Sequence, residues 1–463
     1  MLEFKEFTIS YDGPILEEVN LRFEPGQITV ISGASGSGKS SLLKAINGII
    51  PHFQPAELMG SLIYKGQELQ ELDLAQRSRF ISTVFQNPKT QFYATNSTDE
   101  MAFALENRNL PREEILERID YYTELLGMKQ LLDRDVFTLS GGEKQLLAIT
   151  SVACMDNAIY MFDEPSSSLD RDAIERLKEV LLKLKSLGKT IIIAEHRLYY
   201  LREIMDQFVL LEGNRATSYL PEELDAAFIG QHRLRSLSRI EKADLQELDY
   251  QVKQMTDKNF DSNQALVAQD YLYSYGRKQI FDMNLSLNQG IHFIIGQNGV
   301  GKSTFLRSLC GLIKSFKGQT FFHGQVVKPS YDWIGMVMQD VNYQLFTESV
   351  WSEISIVSDD ATAKQAALAQ AGVLDKKDRH PQSLSGGEKQ RLLLAMAKVS
   401  DNPIVILDEP TSGLCRPQMD QMIKDLHQMA QAGKLVILVT HDYELIHNCG
   451  GHIVEFVRTV GQN

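Results

Sequence analysis

Short apolar runs, rich in β-branched residues, recur along the chain and end in glycine, acidic residues or histidine. Four of them are QITVISG at 27–33, TIIIAEH at 190–196, IHFIIG at 291–296 and IVILDE at 404–409. Continuous apolar runs are typical of strands in parallel sheets, because both faces of such sheets are covered. Amphipathic segments with a helical period, such as 171–187, lie between them. The alternation predicts an α/β fold with a mainly parallel sheet.

This pattern occurs twice, which indicates two homologous halves. The repeated blocks are GASGSGKSS at 33–41 with GQNGVGKST at 296–304, and LSGGEKQ at 139–145 with LSGGEKQ at 384–390. The residues that recur 245 positions later are Ser140, Asp163 and His196, as Ser385, Asp408 and His441. The first glycine block lies farther from the later acidic block than the second does, so we expect insertions in loops or in a helical subdomain.

Between the halves, after residue 213, both motif and strand signals fade. The segment PEELDAAFIGQHRLRSL is helical in character, and we expect part of it to pack on the first domain. A polar, charged stretch follows it as far as Asn263. We therefore predict a first domain over 1–230, a linker over 231–263 and a second domain over 264–463.

The amino-acid composition is that of a globular protein, and it argues against several functional classes. The chain has 463 residues, 43% of them hydrophobic and 23% charged, as in globular proteins of two domains. The formal net charge of -13 argues against a protein that mainly coats nucleic-acid phosphates. The four cysteines have no CxxC spacing, which favours reduced thiols over disulfides or a zinc site.

Membrane-related signals are weak in this sequence. The beginning, MLEFKEFTIS, lacks the basic and apolar regions of a signal peptide, so we expect a cytosolic protein. The longest apolar runs, at 190–194 and 434–440, are much shorter than the ~20 residues that span a bilayer. Any contact with a membrane is therefore expected to go through a partner protein.

The two glycine blocks match GxxxxGK[ST], each between a predicted strand and a helix, as a phosphate-binding loop requires. Backbone N–H groups at the start of the helix face the phosphates, the lysine reaches the β and γ phosphates, and the next hydroxyl binds Mg²⁺. The predicted nucleotide-binding residues are Gly33, Ala34, Ser35, Gly36, Ser37, Gly38, Lys39, Ser40 and Ser41, with Gly296, Gln297, Asn298, Gly299, Val300, Gly301, Lys302, Ser303 and Thr304. Ser40 and Ser303 are the expected Mg²⁺ ligands.

Two adjacent acids end a strand-like run in each half, in AIYMFDEP and IVILDEP. Consecutive residues leaving a strand face different directions, so the two acids can have different roles. We predict that Asp163 and Asp408 hold Mg²⁺. Glu164 and Glu409 are the predicted general bases for the attacking water.

A histidine follows another apolar run in each half. His196 and His441 keep the same spacing from the acids in both halves, which favours contact with the γ phosphate over an ordinary core or surface role.

With LSGGE between the phosphate loop and the acidic strand, the chain resembles the ABC ATPase family. The resemblance implies two tandem P-loop NTPase domains, each with a mainly parallel sheet, an antiparallel β part and a helical subdomain. It implies hydrolysis of two ATP molecules, each clamped between the phosphate loop of one domain and the signature of the other. Both domains lie on one chain, so no homodimer is required. The implied signature residues are Ser140, Gly141, Gly142, Ser385, Gly386 and Gly387.

The same resemblance assigns four further residues. Gln86 in TVFQNP and Gln339 in MVMQD match the Q-loop, which ligates Mg²⁺ and reports to the membrane partner. Tyr11 and Tyr275 match the aromatic residue that stacks on adenine. For the two tyrosines, an ordinary core position is the open alternative.

Three departures from symmetry or from the family pattern stand out. Leu146 occupies the position of Arg391, and Cys415 occupies that of Asp170. Both signatures end in Glu rather than Gln. Because the Cys415 position lacks a carboxylate, we hypothesise that the two ATP sites turn over unequally.

Segment 86–119 resembles the ATPases of energy-coupling factor (ECF) importers of vitamins and metals, and AEHRLYYL does too. The resemblance implies a peripheral protein on the cytoplasmic face of the membrane. Its implied partners are a polytopic scaffold (T) component and a substrate-binding (S) component, and the fused type serves uptake of thiamine precursors or related vitamins. Phe92, Phe103 and Leu105 fit the groove that receives scaffold helices, with ordinary core as the open alternative.

Two other kinds of tandem ATPase are the alternatives. Soluble tandem ABC proteins acting on ribosomes or nucleic acid usually have a strongly charged helical linker and basic surfaces, whereas this chain is acidic. Tandem ATPases of sugar importers usually have a decayed second phosphate loop, whereas 296–304 is intact.

Overall fold

The structure is a computed structural model that describes residues 1–86, 91–167, 169–276, 278–313, 316–328, 333–411 and 413–458. The chain divides into two compact units. The first comprises Met1–Arg239 with Gly413–Pro417, and the second comprises Ile240–Ser412 with Gln418–Asn463. Each unit contains one phosphate loop and one signature block.

The first unit contains a parallel sheet and an antiparallel sheet. Its strands are β1 (Leu2–Ser10), β2 (Pro14–Phe23), β3 (Ile28–Gly33), β4 (Glu57–Tyr64), β5 (Gln67–Glu68), β6 (Ile81–Val84), β7 (Ile159–Asp163), β8 (Thr190–Ala194), β9 (Gln207–Glu212) and β10 (Arg215–Tyr219). The order in the larger sheet is β10-β9-β3-β8-β7-β6, and all its neighbours pair in parallel except β10 with β9. The antiparallel sheet has the order β2-β1-β4-β5.

Apolar residues cover both faces of the parallel sheet. Tyr160 and Phe162 of β7 belong to a core cluster that also includes Leu177. The alternate residues Ile159 and Met161 belong to a second cluster, shared with the antiparallel sheet. Since successive side chains point to opposite faces, a strand with both faces covered is apolar throughout.

The helices of the first unit connect the strands and place the motifs. They are α1 (Lys39–Asn47), α2 (Ile49–His52), α3 (Leu74–Arg77), α4 (Ser97–Glu106), α5 (Arg112–Leu126), α6 (Gly141–Cys154), α7 (Arg171–Ser186) and α8 (Ala226–Gln231). Helix α1 follows the phosphate loop, and α6 begins at the signature. Phe228 and Ile229 of α8 pack against the first core cluster, in which Leu234 and Leu237 are buried.

The second unit repeats this architecture. Its strands are β11 (Asp249–Gln254), β12 (Leu266–Tyr275), β13 (Lys278–Leu287), β14 (Ile291–Ile295), β15 (Lys317–Phe322), β16 (Gln325–Val327), β17 (Ile334–Val337), β18 (Ile404–Asp408), β19 (Leu435–Val439) and β20 (His452–Val457). Its helices are α9 (Lys242–Leu245), α10 (Lys302–Leu309), α11 (Val350–Ser355), α12 (Ala361–Gln370), α13 (Gly386–Val399), α14 (Arg416–Gln431) and α15 (Tyr443–Cys449). The sheets have the orders β11-β20-β14-β19-β18-β17, all parallel, and β13-β12-β15-β16, antiparallel.

The interval expected to be a linker, 231–263, contains regular structure. It holds α9 and β11, and β11 pairs in parallel with β20 at the edge of the second unit's sheet. The same edge of the first unit is occupied by β10, which pairs antiparallel with β9. The domain boundaries stay a prediction.

The predicted α/β class, with a mainly parallel sheet, an antiparallel part and helices in each half, is confirmed. Across the described ranges, none of the helices combines the length and the apolar character needed to cross a membrane.

Candidate nucleotide site

Both phosphate loops curl through left-handed backbone before entering a helix. Gly38, at φ 98°, is the residue before α1, and Gly301, at φ 113°, precedes α10. Glycine adopts this conformation without the steric penalty of a Cβ atom. The loop thereby presents the free N–H groups at the start of each helix, as an anion site requires.

The lysine of each loop is buried and folds back on the loop's carbonyl groups. Lys39 Nζ donates to the carbonyl oxygens of Gly33 and Ala34 at 3.2 and 3.0 Å. Lys302 Nζ donates to those of Gly296 and Gln297 at 2.6 and 3.1 Å. Burial lowers the pKa of Lys39, and the nearby charge of Glu164 opposes that shift. An anionic phosphate at this position would compensate a cation that is costly to bury.

A hydroxyl and a carboxylate meet behind each loop. Ser40 Oγ donates to Asp163 Oδ1 at 3.2 Å, and Ser303 Oγ donates to Asp408 Oδ1 at 3.0 Å. Burial is the main cause that raises the pKa of both aspartates. These oxygen ligands are the type that Mg²⁺ prefers together with phosphate and water.

One polar atom of the first loop is left for a ligand. Ser37 Oγ is buried and has no hydrogen-bond partner in the part of the chain that the structure describes. A buried hydroxyl without a partner is costly, and a phosphate oxygen would satisfy it. The loop and the hydroxyl–carboxylate pair therefore fit a nucleotide with Mg²⁺.

The two predicted general bases share an unusual backbone conformation. Glu164 has φ 48° and Glu409 has φ 51°, both in the left-handed region that non-glycine residues seldom adopt. The backbone N–H of Glu164 donates to Ala194 O at 2.8 Å, and that of Glu409 donates to Val439 O at 2.9 Å. The same uncommon backbone conformation recurs at the same place in both units, as a functional constraint would require.

In the first unit, Glu164 lies between the predicted Q-loop residue and the histidine. Gln86 Nε2 donates to Glu164 Oε2 at 2.7 Å, and His196 Nε2 lies 3.6 Å from Glu164 Oε1. Burial and then the neighbouring carboxylate of Glu195 raise the pKa of Glu164, against the pull of Lys39. Burial and the charge of Lys39 hold the pKa of His196 well below its usual range, so its imidazole is neutral.

In the second unit, the histidine contacts both the loop and the base. His441 Nε2 lies 3.0 Å from Asn298 Oδ1, 3.4 Å from Lys302 Nζ and 3.4 Å from Glu409 Oε1. Gln339 has an exposed side chain in this unit. The base, lysine and histidine predicted from spacing are therefore neighbours in both units.

The signature residues lie at the start of a helix in each unit. Ser140 is the N-cap of α6 and Ser385 is the N-cap of α13, and both are exposed. Each forms a capping box with the glutamate three residues later, Glu143 or Glu388. The Gln-to-Glu departure thus supplies a helix cap, and Lys376 forms an ion pair with Glu388 in the second unit.

The two tyrosines expected near adenine differ. Tyr11 is half-buried, and its hydroxyl donates to Ser41 Oγ at 3.3 Å, which places the ring beside the first phosphate loop. Tyr275 is 76% exposed. Stacking on adenine stays a prediction for both residues.

The asymmetric positions have distinct surroundings. Asp170 caps α7 by accepting the backbone N–H of Ala173 at 3.0 Å, whereas Cys415 is a buried cysteine just before α14. Leu146 is buried in the core, and Arg391 donates through Nε to Ala371 O at 2.7 Å.

In each unit, a glutamine that was not predicted holds the Q-loop. Gln91 accepts from the backbone N–H of Phe85 at 3.1 Å and donates to Thr83 O at 3.3 Å. Gln344 does the same with Met338 and Met336, both at 2.7 Å. These clamps bracket the residues just before Gln86 and Gln339. The recurrence of the two glutamines, 253 residues apart, is the signal that could have found them.

A buried glutamate clamps the next turn. Glu100 Oε2 accepts the backbone N–H groups of Tyr93 and Ala94, both at 2.8 Å. Glu353 Oε2 accepts those of Phe346 and Thr347 at 3.1 and 2.9 Å. Each Q-loop segment is therefore held at both ends.

The three residues considered for a partner groove differ in how deeply they are buried. Leu105 is fully buried in the first core cluster, which agrees with the core alternative and not with the groove. Phe92 is partly buried against that cluster. Phe103 is exposed and stacks on Tyr93, with ring centroids 4.9 Å apart, and Tyr93 was not predicted.

The family described as ABC transporter matches residues 16–167 and 280–412. The chain belongs to the ABC transporter family. The matched intervals contain both phosphate loops, both signatures and both acidic strands, so two ABC ATPase domains lie in tandem on one chain. ATP binding and ATPase activity follow from membership in this family.

Two relatives align with nearly the whole of this chain. Two proteins of Treponema denticola, each named "Putative ABC transporter ATP-binding protein", are 38% and 33% identical to this chain. The alignments cover 96% and 94% of this chain, and 93% and 90% of the relatives. Among solved structures, an RNase-L Inhibitor chain has a TM-score of 0.62 at 20% identity, covering 99% of this chain and 89% of that one. That likeness shows the fold alone.

Proposed function

We propose that this chain is the energising ATPase of an ECF-type importer. It hydrolyses two ATP molecules and drives uptake of a small micronutrient, such as a vitamin, through membrane partners. The observation that carries the proposal is a pair of exposed apolar side chains, present in each unit, next to a Q-loop segment that is clamped at both ends.

Hydrolysis would follow from the residues around each loop. ATP would bind with its phosphates at the N–H groups of the loop and at Lys39 or Lys302. The oxygen of a water molecule attacks the γ phosphorus while the bond to the β-γ bridging oxygen breaks, which releases ADP and phosphate. Glu164 or Glu409 accepts the proton of that water, and the neutral His196 can donate to the γ phosphate.

Two features would complete each site. Bound Mg²⁺ would supply charge neutralisation on the phosphates, with Ser40 and Asp163 as its protein ligands in the first unit and Ser303 and Asp408 in the second. By the family resemblance, the signature residues are the second feature that we expect to contact ATP.

The exposed pairs are suited to an apolar helix. In the first unit Tyr93 and Phe103 stack on each other, and in the second Phe346 and Ile356 are 74% and 55% exposed. Exposed apolar side chains are typical of docking surfaces, and helix-in-groove contact buries such residues. The occupant that we propose is a cytoplasmic helix of a polytopic scaffold protein, one at each unit.

A short route connects this surface with the ATP site. The backbone of Tyr93 is held by Glu100, and Gln91 holds Phe85, which precedes Gln86. Gln86 in turn contacts Glu164. Because the segment is fixed at both ends, a shift of the docked helix would move the glutamine that contacts the base.

The names of the relatives support a transporter role, and the ECF resemblance of segment 86–119 supports the subfamily. In this proposal the protein is peripheral on the cytoplasmic face, and a separate membrane protein binds the substrate. A role on ribosomes or nucleic acid is less well supported, because the net charge is -13 and likeness at 20% identity shows fold alone.

Uptake measurements in cells test this proposal. Deletion of the gene should abolish uptake of one labelled compound from a panel of thiamine, its pyrimidine precursor, riboflavin, biotin and folate. Wild-type protein should restore uptake, and the Glu164→Gln/Glu409→Gln variant should not. Unchanged uptake of the whole panel would contradict the vitamin assignment.

A further inference from the structure

A buried carboxylate joins two loops of the first nucleotide site. Glu195, 2% exposed, directly precedes His196. Its Oε1 accepts the backbone N–H groups of His196 and Arg197 at 2.7 and 3.1 Å. Its Oε2 accepts the hydroxyl of Tyr200 at 2.9 Å and the backbone N–H of Ser166 at 3.3 Å. One side chain therefore connects the loop after β8 with the loop after β7.

These two loops carry the groups that face the reacting water. The loop after β7 contains Glu164, two residues before Ser166. The loop after β8 contains His196, whose Nε2 lies 3.6 Å from Glu164 Oε1. Since Glu195 holds the backbone of both loops, the separation of the base and the histidine depends on it.

The second unit joins the same two loops by a different chemistry. At the positions of Glu195 and Ser166 it has Thr440 and Thr411, whose hydroxyls are hydrogen-bonded at 2.9 Å. Thr440 Oγ1 also accepts the backbone N–H of Asp442 at 3.1 Å. Both threonines are buried. The connection is thus present in both units, through a carboxylate in the first and a pair of hydroxyls in the second.

We propose that Glu195 is a positioning residue for ATP hydrolysis in the first site, and that the Thr440–Thr411 pair has this role in the second. The proposal rests on the hydrolytic role of Glu164 proposed above. A carboxylate that accepts four hydrogen bonds fixes two backbone segments firmly, and small displacements of reacting groups reduce turnover strongly. A bridge that served stability alone would not affect the chemical step.

Steady-state hydrolysis by the full chain tests this role. A Glu409→Gln background removes the general base of the second site, so the remaining hydrolysis reports on the first. In this background Glu195→Ala should lower kcat by about tenfold while the KM for ATP changes less than about threefold, because the phosphate ligands stay in place. Glu195→Gln keeps one acceptor oxygen but presents an amide to the Ser166 N–H, so its kcat should be intermediate. This milder variant decides the question if the alanine variant does not fold. The exposed Glu117→Ala on α5 is the matched control and should leave kcat and KM unchanged.

Rescue separates positioning from general damage. The triple variant Ser166→Thr/Glu195→Thr/Tyr200→Leu gives the first unit the residues of the second, where Leu445 stands at the position of Tyr200. In the Glu409→Gln background it should restore kcat to within about twofold of that of the Glu409→Gln parent, because the hydroxyl pair again joins the loops. A normal kcat in Glu195→Ala or Glu195→Gln, or a triple variant as slow as Glu195→Ala, would overturn the proposal. An active Glu164→Gln in the same background would instead overturn the proposed role of the base.

Discussion

The side-chain amide of Gln86 donates to the carboxylate of Glu164, with Nε2 2.7 Å from Oε2. The residue expected to sense the membrane partner thus contacts the residue expected to activate water. A movement of the Q-loop would change the hydrogen bonding and orientation of the base. In the proposed function, this contact would link docking to hydrolysis within one unit.

Replacing each base by its amide tests the roles of the two sites. Glu164→Gln and Glu409→Gln keep the side-chain shape but lose the proton acceptor, so phosphate release should fall by about 100-fold or more in the site affected. ATP binding, measured at equilibrium, should be retained. We expect the two variants to differ in residual activity, because Cys415 replaces a carboxylate in one half only. Equal loss from both would contradict unequal turnover.

The N-cap residue of α7 allows a test of how this helix is stabilised. Asp170 accepts the backbone N–H of Ala173 at 3.0 Å. Asp170→Ala should lower the free energy of unfolding by about 1 kcal/mol, measured by urea denaturation. Asp170→Ser, which can still cap the helix, should stay within about 0.5 kcal/mol of wild type. Equal stability of the alanine variant and wild type would refute the capping role.

Arg77 supports the helix behind the first phosphate loop. It is fully buried, and its Nη1 donates to the carbonyl oxygens of Ala45 and Ile46, in the last turn of α1, at 2.7 and 3.2 Å. Arg77→Met would leave these acceptors buried without a donor. The free energy of unfolding should therefore fall by about 2–4 kcal/mol. The exposed neighbour offers the control Arg79→Met, which should change stability by less than about 0.5 kcal/mol. Similar effects of the two substitutions would be evidence against this account.

His292 should make the second unit sensitive to acid. It is buried beside His452, and burial is the main cause that lowers its pKa to about 4. Between the unfolded pKa of about 6.5 and pH 4, the unfolded state binds more protons than the folded state, so stability falls as the pH falls. Protonation linked to His292 should lower the free energy of unfolding by about 3 kcal/mol between pH about 6.5 and pH about 4.

Urea denaturation between pH 7 and 4 measures the effect. His292→Phe should have a flatter dependence on pH than wild type in this window, since it has no group to protonate. The exposed His447→Gln should keep the wild-type slope. A slope that is unchanged in His292→Phe would show that other groups cause the acid sensitivity.

The sequence predicted the strands and the loops that the motifs require, for physical reasons. Strands covered on both faces are apolar throughout, and glycine-rich loops with a lysine have a recognisable spacing. Strand β11 was missed because it lies at a sheet edge, where DYQVKQ is mostly polar and reads as a linker. Pairing with β20, about 200 residues later, is a long-range contact that no local pattern reports.

Contacts between side chains and distant backbone groups could not be predicted from the sequence either. The roles of Gln91 and Glu195 depend on which N–H groups the fold brings within reach. The left-handed backbone of Glu164 and Glu409 has no local signal either, because glutamate seldom adopts it. Core and groove stayed open for Leu105 because an apolar residue on a helix fits both equally well until the packing is known.

Affinity purification of the full chain from detergent-solubilised membranes tests the central claim most directly. The account predicts that a polytopic membrane protein co-purifies in stoichiometric amount. Tyr93→Asp/Phe346→Asp should lose this protein, whereas the exposed control Phe53→Asp should retain it. Absence of a polytopic partner, together with salt-resistant co-sedimentation with ribosomes, would contradict the account.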